Sequence, residues 1–297
     1  MAIYGVGEQM KIMASIFIRN EYLEEHQVKT LLEDINTFAQ EIDSLVFFDL
    51  SGHNNQYLEK SLQKEYAVEY IYNTDQGEAV NWRNAMIKAN FGNFDYVLLL
   101  EEGYYFENNT IGNLKKFITA HPEVEIGVIT PRPMYSIAYF NKAADDYRYI
   151  KGCKLLGTLV NAKDYQRSKG FRLDFYQGYV DYEYCLQIRS TKKAIVYMEN
   201  EVSRNRNYKL VEKKTLGMKF SMYEKDKLDL YYETRNRFYT WDSYITTETE
   251  FVNKDRLSYK HEIREIKLSD PKAKEKISMI KKGEQDYKQK KNRKYTG

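Results

Sequence analysis

Apolar and polar positions follow two rhythms along the first half of the chain. Short apolar runs at 11–18, 45–48, 68–72, 96–100 and 126–129 are too brief and too continuous for amphipathic helices. They read as strands, and 96–100 as one buried on both faces, the kind found inside a parallel sheet. Between them Val28, Leu31, Leu32, Ile35 and Phe38 recur at helical spacing, and 56–64, 78–90 and 110–120 read as helices. Strands alternating with helices predict an α/β fold, with a mostly parallel central sheet flanked by helices.

The pattern loosens after Pro131. A turn at 131–133 leads into an irregular, tyrosine-rich stretch to about 150. A strand is expected at 154–160, a short helix at 162–169, and a helix capped or opened by Asp181 running to about Ser190. A strand follows at 194–197, and 231–237 lies in a further helix. Ser269-Asp270-Pro271 starts another helix, with a capping residue before proline. Residues 281–297 are mostly charge, with a thin apolar stripe at Ile277 and Ile280 before them, and are expected to be mobile. The expected division is a catalytic domain over 1–240 and a charged helical extension with a basic tail over 241–297.

Composition adds three points. The 297 residues suffice for one large α/β domain with an appendage. The 28 tyrosines pair an apolar ring with a polar tip, which suits a cleft for a sugar. Cys153 and Cys185 are too few for a disulfide framework or a zinc cluster. No signal-peptide core and no membrane-spanning apolar run is present, so a cytoplasmic protein is expected. The net charge of +3 is uneven: residues 267–297 hold eleven Lys/Arg and four Asp/Glu, a net of +7, leaving −4 elsewhere. Without a nucleic-acid fold motif, this tail points to peripheral contact with an anionic inner-membrane surface rather than to nucleic acid.

The polar signals of the first half stand at strand ends: Arg19-Asn20, Asp49, Gly77 and Glu101-Glu102-Gly103. Open α/β sheets bind ligands at this edge. No Gly-rich phosphate loop and no G-x-G-x-x-G follows the first strand, so a nucleotide would be held by side chains.

Taken in order, these stretches resemble the family 2 glycosyltransferases, in particular the rhamnosyltransferase-like branch. Arg19-Asn20 ends the first strand, Asp49-Leu50-Ser51 is similar to an Asp-x-Ser turn, and Gly77 with Arg83-Asn84 is similar to the family's glycine and Arg-Asn pair. Leu98-Leu99-Leu100-Glu101-Glu102-Gly103 occupies the place of the Asp-x-Asp motif. Gly170-Phe171-Arg172 and the run 179–186 resemble the acceptor-side motif, and Tyr231-Tyr232 with Arg235-Asn236 the C-terminal signature. The likeness covers roughly residues 11 to 240.

The resemblance implies a GT-A fold and an inverting transfer of a hexose from a nucleotide sugar, UDP- or dTDP-linked, to a glycan, lipid-linked or glycoprotein acceptor. Asp181 would be the catalytic base, with Glu183 as the other candidate. Arg19, Asn20, Asp49, Arg83, Asn84, Glu101 and Glu102 would bind the donor, and Glu101 and Glu102 a divalent Mn or Mg ion. Two departures bear on this. Gly103 replaces the second carboxylate, which would weaken the metal site. The late histidine of many relatives is absent, and Arg204 and Arg206 stand near its place as further donor ligands. The alternative is a degenerate relative that binds a nucleotide sugar or a partner transferase without turnover.

Overall fold

The computed structural model describes residues 10–22, 24–133, 145–208, 210–215, 218–223 and 225–295, the side chains of 210–223 excepted. The order is β1 (Ile12–Ile18), α1 (Glu25–Asn36), β2 (Ser44–Asp49), α2 (Gln56–Glu65), β3 (Val68–Tyr72), α3 (Glu78–Phe91) and β4 (Tyr96–Glu101). Then come β5 (Tyr104–Phe106), α4 (Thr110–Ala120), β6 (Ile126–Pro133), β7 (Tyr147–Tyr149), β8 (Thr158–Asn161), α5 (Ala162–Arg167), α6 (Val180–Ser190) and β9 (Ala194–Asn205). A hairpin of β10 (Leu210–Thr215) and β11 (Met218–Tyr223) precedes α7 (Lys227–Tyr244), α8 (Thr249–Ser269) and α9 (Ala273–Lys288).

The main sheet has the order β3-β2-β1-β4-β8-β6-β9-β5, with β7 added on β9. Strands β1 to β4, β6 and β9 run one way, and β5, β7 and β8 run against them. Every residue of β1 is buried, because both faces of the sheet are covered. Ile12, Ala14 and Ile16 pack with α1, α2 and α4; Met13 and Phe17 pack with α3, α5 and α6 on the other side. This accounts for the unbroken apolar runs. The predicted mostly parallel sheet flanked by helices, with a helical C-terminal region, is the architecture observed.

Four local expectations change. The strand predicted at 154–160 begins only at Thr158, leaving Lys154 in a loop. The stretch read as irregular to residue 150 contains β7, and its residues 134–144 lie outside the described residues. Strand β9 runs on through residues 201–205 because β5 pairs with its far end. Helix α6 is preceded by Tyr179 at φ +66°, so Asp181 is inside the first turn and is not the cap.

The tail also departs from expectation, since it is docked. Ile280 is buried with Leu230, Trp241, Val252, Tyr259 and Ile266. The Tyr231 hydroxyl donates to Asp286 at 2.8 Å, and Lys276 pairs with Asp270 at 2.8 Å in a buried setting. Past the helix, Tyr295 N donates to Tyr232 Oη at 2.7 Å and Arg235 Nη1 to the Arg293 carbonyl at 2.8 Å. The boundary expected at residue 240 falls inside α7, the helix on which α9 lies. No described helix is long and apolar enough to cross a membrane.

Candidate active site

The carboxyl ends of β1 and β4 are adjacent, since Phe17 pairs in register with Glu101. The chain leaving β1 therefore passes beside the Glu101-Glu102 pair. Arg19 Nε donates to Glu101 Oε1 at 3.1 Å, and its Nη1 donates to Asp75 Oδ2 at 2.7 Å. Burial opposes the charge on Arg19, but Glu101 and Asp75 outweigh it and raise its pKa. Asp75 is anchored in turn by the Gly77 N–H at 3.0 Å and Asn81 Nδ2 at 2.7 Å, which fixes it to the start of α3.

Glu102 points inward. Its Oε2 accepts from Arg19 N at 2.8 Å, and its Oε1 from Asn20 N at 3.1 Å and Asn20 Nδ2 at 2.5 Å. Burial pushes its pKa up to about 7, against these donors. Arg19 and Asn20 are thus brought to Glu101 and Glu102, and Glu102 ties two loops together with each of its oxygens accepting at least one N–H bond.

Asp181, in the first turn of α6, is 2% exposed. Its Oδ2 lies 3.1 Å from Lys154 Nζ, and its Oδ1 accepts from Tyr182 N at 2.8 Å. Lys154 also lies 3.9 Å from Glu233 of α7, whose other carboxylate oxygen takes Lys225 at 2.6 Å. Glu78 Oε2 accepts from Gly178 N at 2.7 Å, just before α6. Burial, then the Asp181 carboxylate, raises Glu78 to about 8; Lys154 opposes the rise and Glu101 adds to it. Glu78 therefore lies within electrostatic reach of both Asp181 and Glu101. Asn236 donates to the carbonyls of Gln177 and Gly178 at 2.8 and 2.9 Å, so the Arg235-Asn236 pair holds the turn that presents Asp181.

The other expected residues lie elsewhere. Glu183, two residues on along α6, accepts from the Tyr244 hydroxyl at 2.9 Å and is separated from the Asp181–Lys154 pair. Asp49 is 2% exposed and saturated. Ser51 N and Oγ donate to one of its oxygens at 3.0 and 2.6 Å, and Asn55 Nδ2 and Tyr70 Oη to the other at 3.0 and 2.7 Å. It shapes the turn after β2 and offers no lone pair to a nucleobase in this state. Arg83 lines a cavity of about 430 Å³ between α3 and α5 with Tyr165 and Gly170. Asn84 is half-buried on the same helix. Arg204 pairs with Glu107; Arg206 donates to Asp34 at 2.7 Å and stacks on Tyr105. Both arginine side chains serve neighbouring acids, and the Arg206 backbone N–H donates to the Gly103 carbonyl at 2.9 Å.

Sequence reasoning missed Asp75, Glu78, Lys154 and Glu233. Asp75 and Glu78 flank the Gly77 that was singled out, and Glu233 lies within the 231–236 signature, so position carried a signal for these three. Lys154 carried none. Arg189 pairs with Glu248 at 2.8 Å, and Cys185 is fully buried.

A metal ion fits this ligand set poorly. Among the described residues no group of three or more His, Cys, Asp or Glu side chains is placed to hold one. Glu101 is the remaining carboxylate of the β4 end, and Arg19 already bonds it.

No protein-family model matches the chain, and no curated protein matches its sequence. Solved structures match its fold. TarS from S. aureus superposes with a TM-score of 0.53 at 12% identity, over 88% of this chain and 44% of TarS. The mannosyltransferase PcManGT from Pyrobaculum calidifontis, solved with GDP-Man and Mn2+, gives 0.57 at 12% identity, over 80% of this chain and 65% of that one. The α/β architecture is therefore that of a known sugar-transferring enzyme. The chain spans less than two thirds of either neighbour.

Proposed function

We propose that the protein is an inverting glycosyltransferase that moves a sugar from a nucleotide-sugar donor to a hydroxyl of a glycan, lipid-linked or glycoprotein acceptor. One observation carries the reading. On a fold shared with a mannosyltransferase, a buried acid at the head of α6, Asp181, and the strand-end acid Glu101 both lie within electrostatic reach of Glu78 at the start of α3. Direct displacement needs a base near the acceptor hydroxyl and a fixed seat for the donor on the other side. Asp181 supplies the base, and Arg19, Asp75 and Glu101 form the donor wall. Glu183 is not needed for this, since Tyr244 holds it elsewhere.

The test is sugar transfer from a panel of UDP-, dTDP- and GDP-linked sugars to water and to simple glycan acceptors. Asp181→Asn should keep donor binding while transfer falls by ~100-fold or more, the usual scale for losing a general base. Equal transfer by the variant would remove Asp181 from the mechanism. The second reading, a protein that binds a nucleotide sugar without turnover, is favoured by the poor metal ligand set; donor binding with no transfer to any acceptor would establish it.

A further inference from the structure

A divalent ion at the end of β4 would need side-chain oxygens there, and three features withhold them. Both Glu102 oxygens accept N–H bonds from Arg19 and Asn20. Gly103 has no side chain, and its φ of +87° disfavours one; a Cβ would lie 2.9 Å from Asn207 Nδ2 and 3.2 Å from Asn205 Oδ1, so those side chains would have to shift. Asn207 is fixed there by donating to the Glu102 carbonyl at 2.9 Å. Glu101 remains, and it shares Arg19 with Asp75. One guanidinium between two carboxylates leaves that group at a net charge of −1, which repels a diphosphate unless another cation comes in.

Lys154 is placed to be that cation. It stands in the loop before β8, with its side chain 39% exposed. Its closest charged partner is Asp181 at 3.1 Å; Glu233, at 3.9 Å, already has Lys225 at 2.6 Å and stays neutralised if Lys154 moves. Burial opposes the charge on Lys154, but Asp181 and Glu233 outweigh it, so the ammonium persists. The Gly157 N–H donates to the Leu99 carbonyl at 2.8 Å, so the loop that carries Lys154 runs beside the end of β4. A lysine is a compact charge on a flexible four-carbon stem, suited to such a transfer between partners.

We infer that Lys154 does the work of a divalent ion in this cleft: on donor binding it passes from Asp181 to the diphosphate. The inference rests on the glycosyltransferase reading and goes further by assigning the charge that meets the leaving group. In the transfer, the acceptor oxygen bonds to the anomeric carbon as the bond from that carbon to the β-phosphate oxygen breaks. The electron pair stays on the diphosphate beside Lys154. The acceptor proton goes to Asp181, which has lost its counter-charge and is open to receive it.

The experiment is calorimetric titration of the full chain with UDP, dTDP and GDP, in chelator and again in Mn2+. The wild type should bind at least one of them in chelator, with Mn2+ changing the affinity by less than about threefold. Lys154→Met should weaken that binding by at least ~10-fold, and Lys154→Arg should retain most of it. Binding that requires Mn2+, or that is unchanged in Lys154→Met, overturns the inference and leaves the glycosyltransferase reading standing. Failure of all three nucleotides under both conditions removes that reading as well. If Lys154→Met does not fold, the wild-type comparison of chelator with Mn2+ decides alone.

Discussion

Replacing Gly283 with alanine separates a docked C-terminal helix from a free one by the sign of the effect. In an isolated helix alanine is favoured over glycine by about 1 kcal/mol, so a solvent-exposed tail would gain order. In the structure Gly283 lies against α7, and an added Cβ would sit 2.6 Å from the Tyr231 carbonyl oxygen, 3.1 Å from Thr234 Cβ and 3.3 Å from Arg235 N. Two of these three atoms are backbone and cannot rotate aside, so α9 must lift. Lifting stretches the 2.8 Å Tyr231–Asp286 bond and loosens Ile280, which is 2% exposed. Overpacking of this kind costs about 1–3 kcal/mol against a gain of about 1 kcal/mol in helix propensity, which leaves the variant less stable by about 1 kcal/mol at mid-range. For a chain of this size that lowers Tm by about 2–4 °C. Urea unfolding of both proteins should show a lower midpoint with an unchanged slope. A midpoint at or above the wild type would mean that α9 is not seated on α7, and the reasoning fails.

Two further substitutions address the strand end. Burial raises Glu102 from 4.5 to about 7, so the stability it contributes is full below about 4.5 and is lost as pH rises through 7. That displacement is worth ~3 kcal/mol, and Glu102→Gln, which cannot ionise, should shrink the loss of stability between pH 4.5 and 8 by up to that amount. Equal losses in urea unfolding of the two proteins would show that Glu102 does not titrate with folding. Gly103→Asp would restore the carboxylate that the resemblance leads one to expect. Its side chain meets Asn207 at a φ of +87°, so it should lower Tm by several degrees and create no measurable Mn2+ site. Unchanged stability together with new Mn2+ binding would show that the position can accept a ligand.

Strands β1, β2 and β4 were legible in the sequence because burial on both faces forces continuous apolar runs, and the edge strand β3 also falls where its short run stands. The strands at the other side of the sheet were less so. β5 and β7 are three residues each, and the far end of β9 is a polar stretch, Glu201 to Asn205, held by pairing that is remote in sequence. The docking of α9 was hidden for a related reason. Its interface uses a glycine, two tyrosine hydroxyls and backbone carbonyls more than an apolar stripe, so its periodicity reads as solvated charge.

The site divides along the same line between local and distant chemistry. Arg19, Glu101 and Asp181 stand at the ends of elements that the pattern predicts, and fold topology brings those ends to one edge. Asp49 and Glu102 stand there too, but the Asp49 oxygens are filled by Ser51, Asn55 and Tyr70, and the Glu102 oxygens are engaged by Arg19 and Asn20. Position along the chain shows where a carboxylate is delivered and says nothing of which donors meet it there. Gly103 illustrates the reverse. As a residue it reads as a missing ligand, whereas in the fold its missing side chain makes room for Asn207, which bonds the Glu102 carbonyl. A single carboxylate restored there would displace that asparagine before it could reach a metal. The loss of the ligand and the packing of the turn are therefore one structural fact, and the cation for the diphosphate has to come from another element, where Lys154 stands.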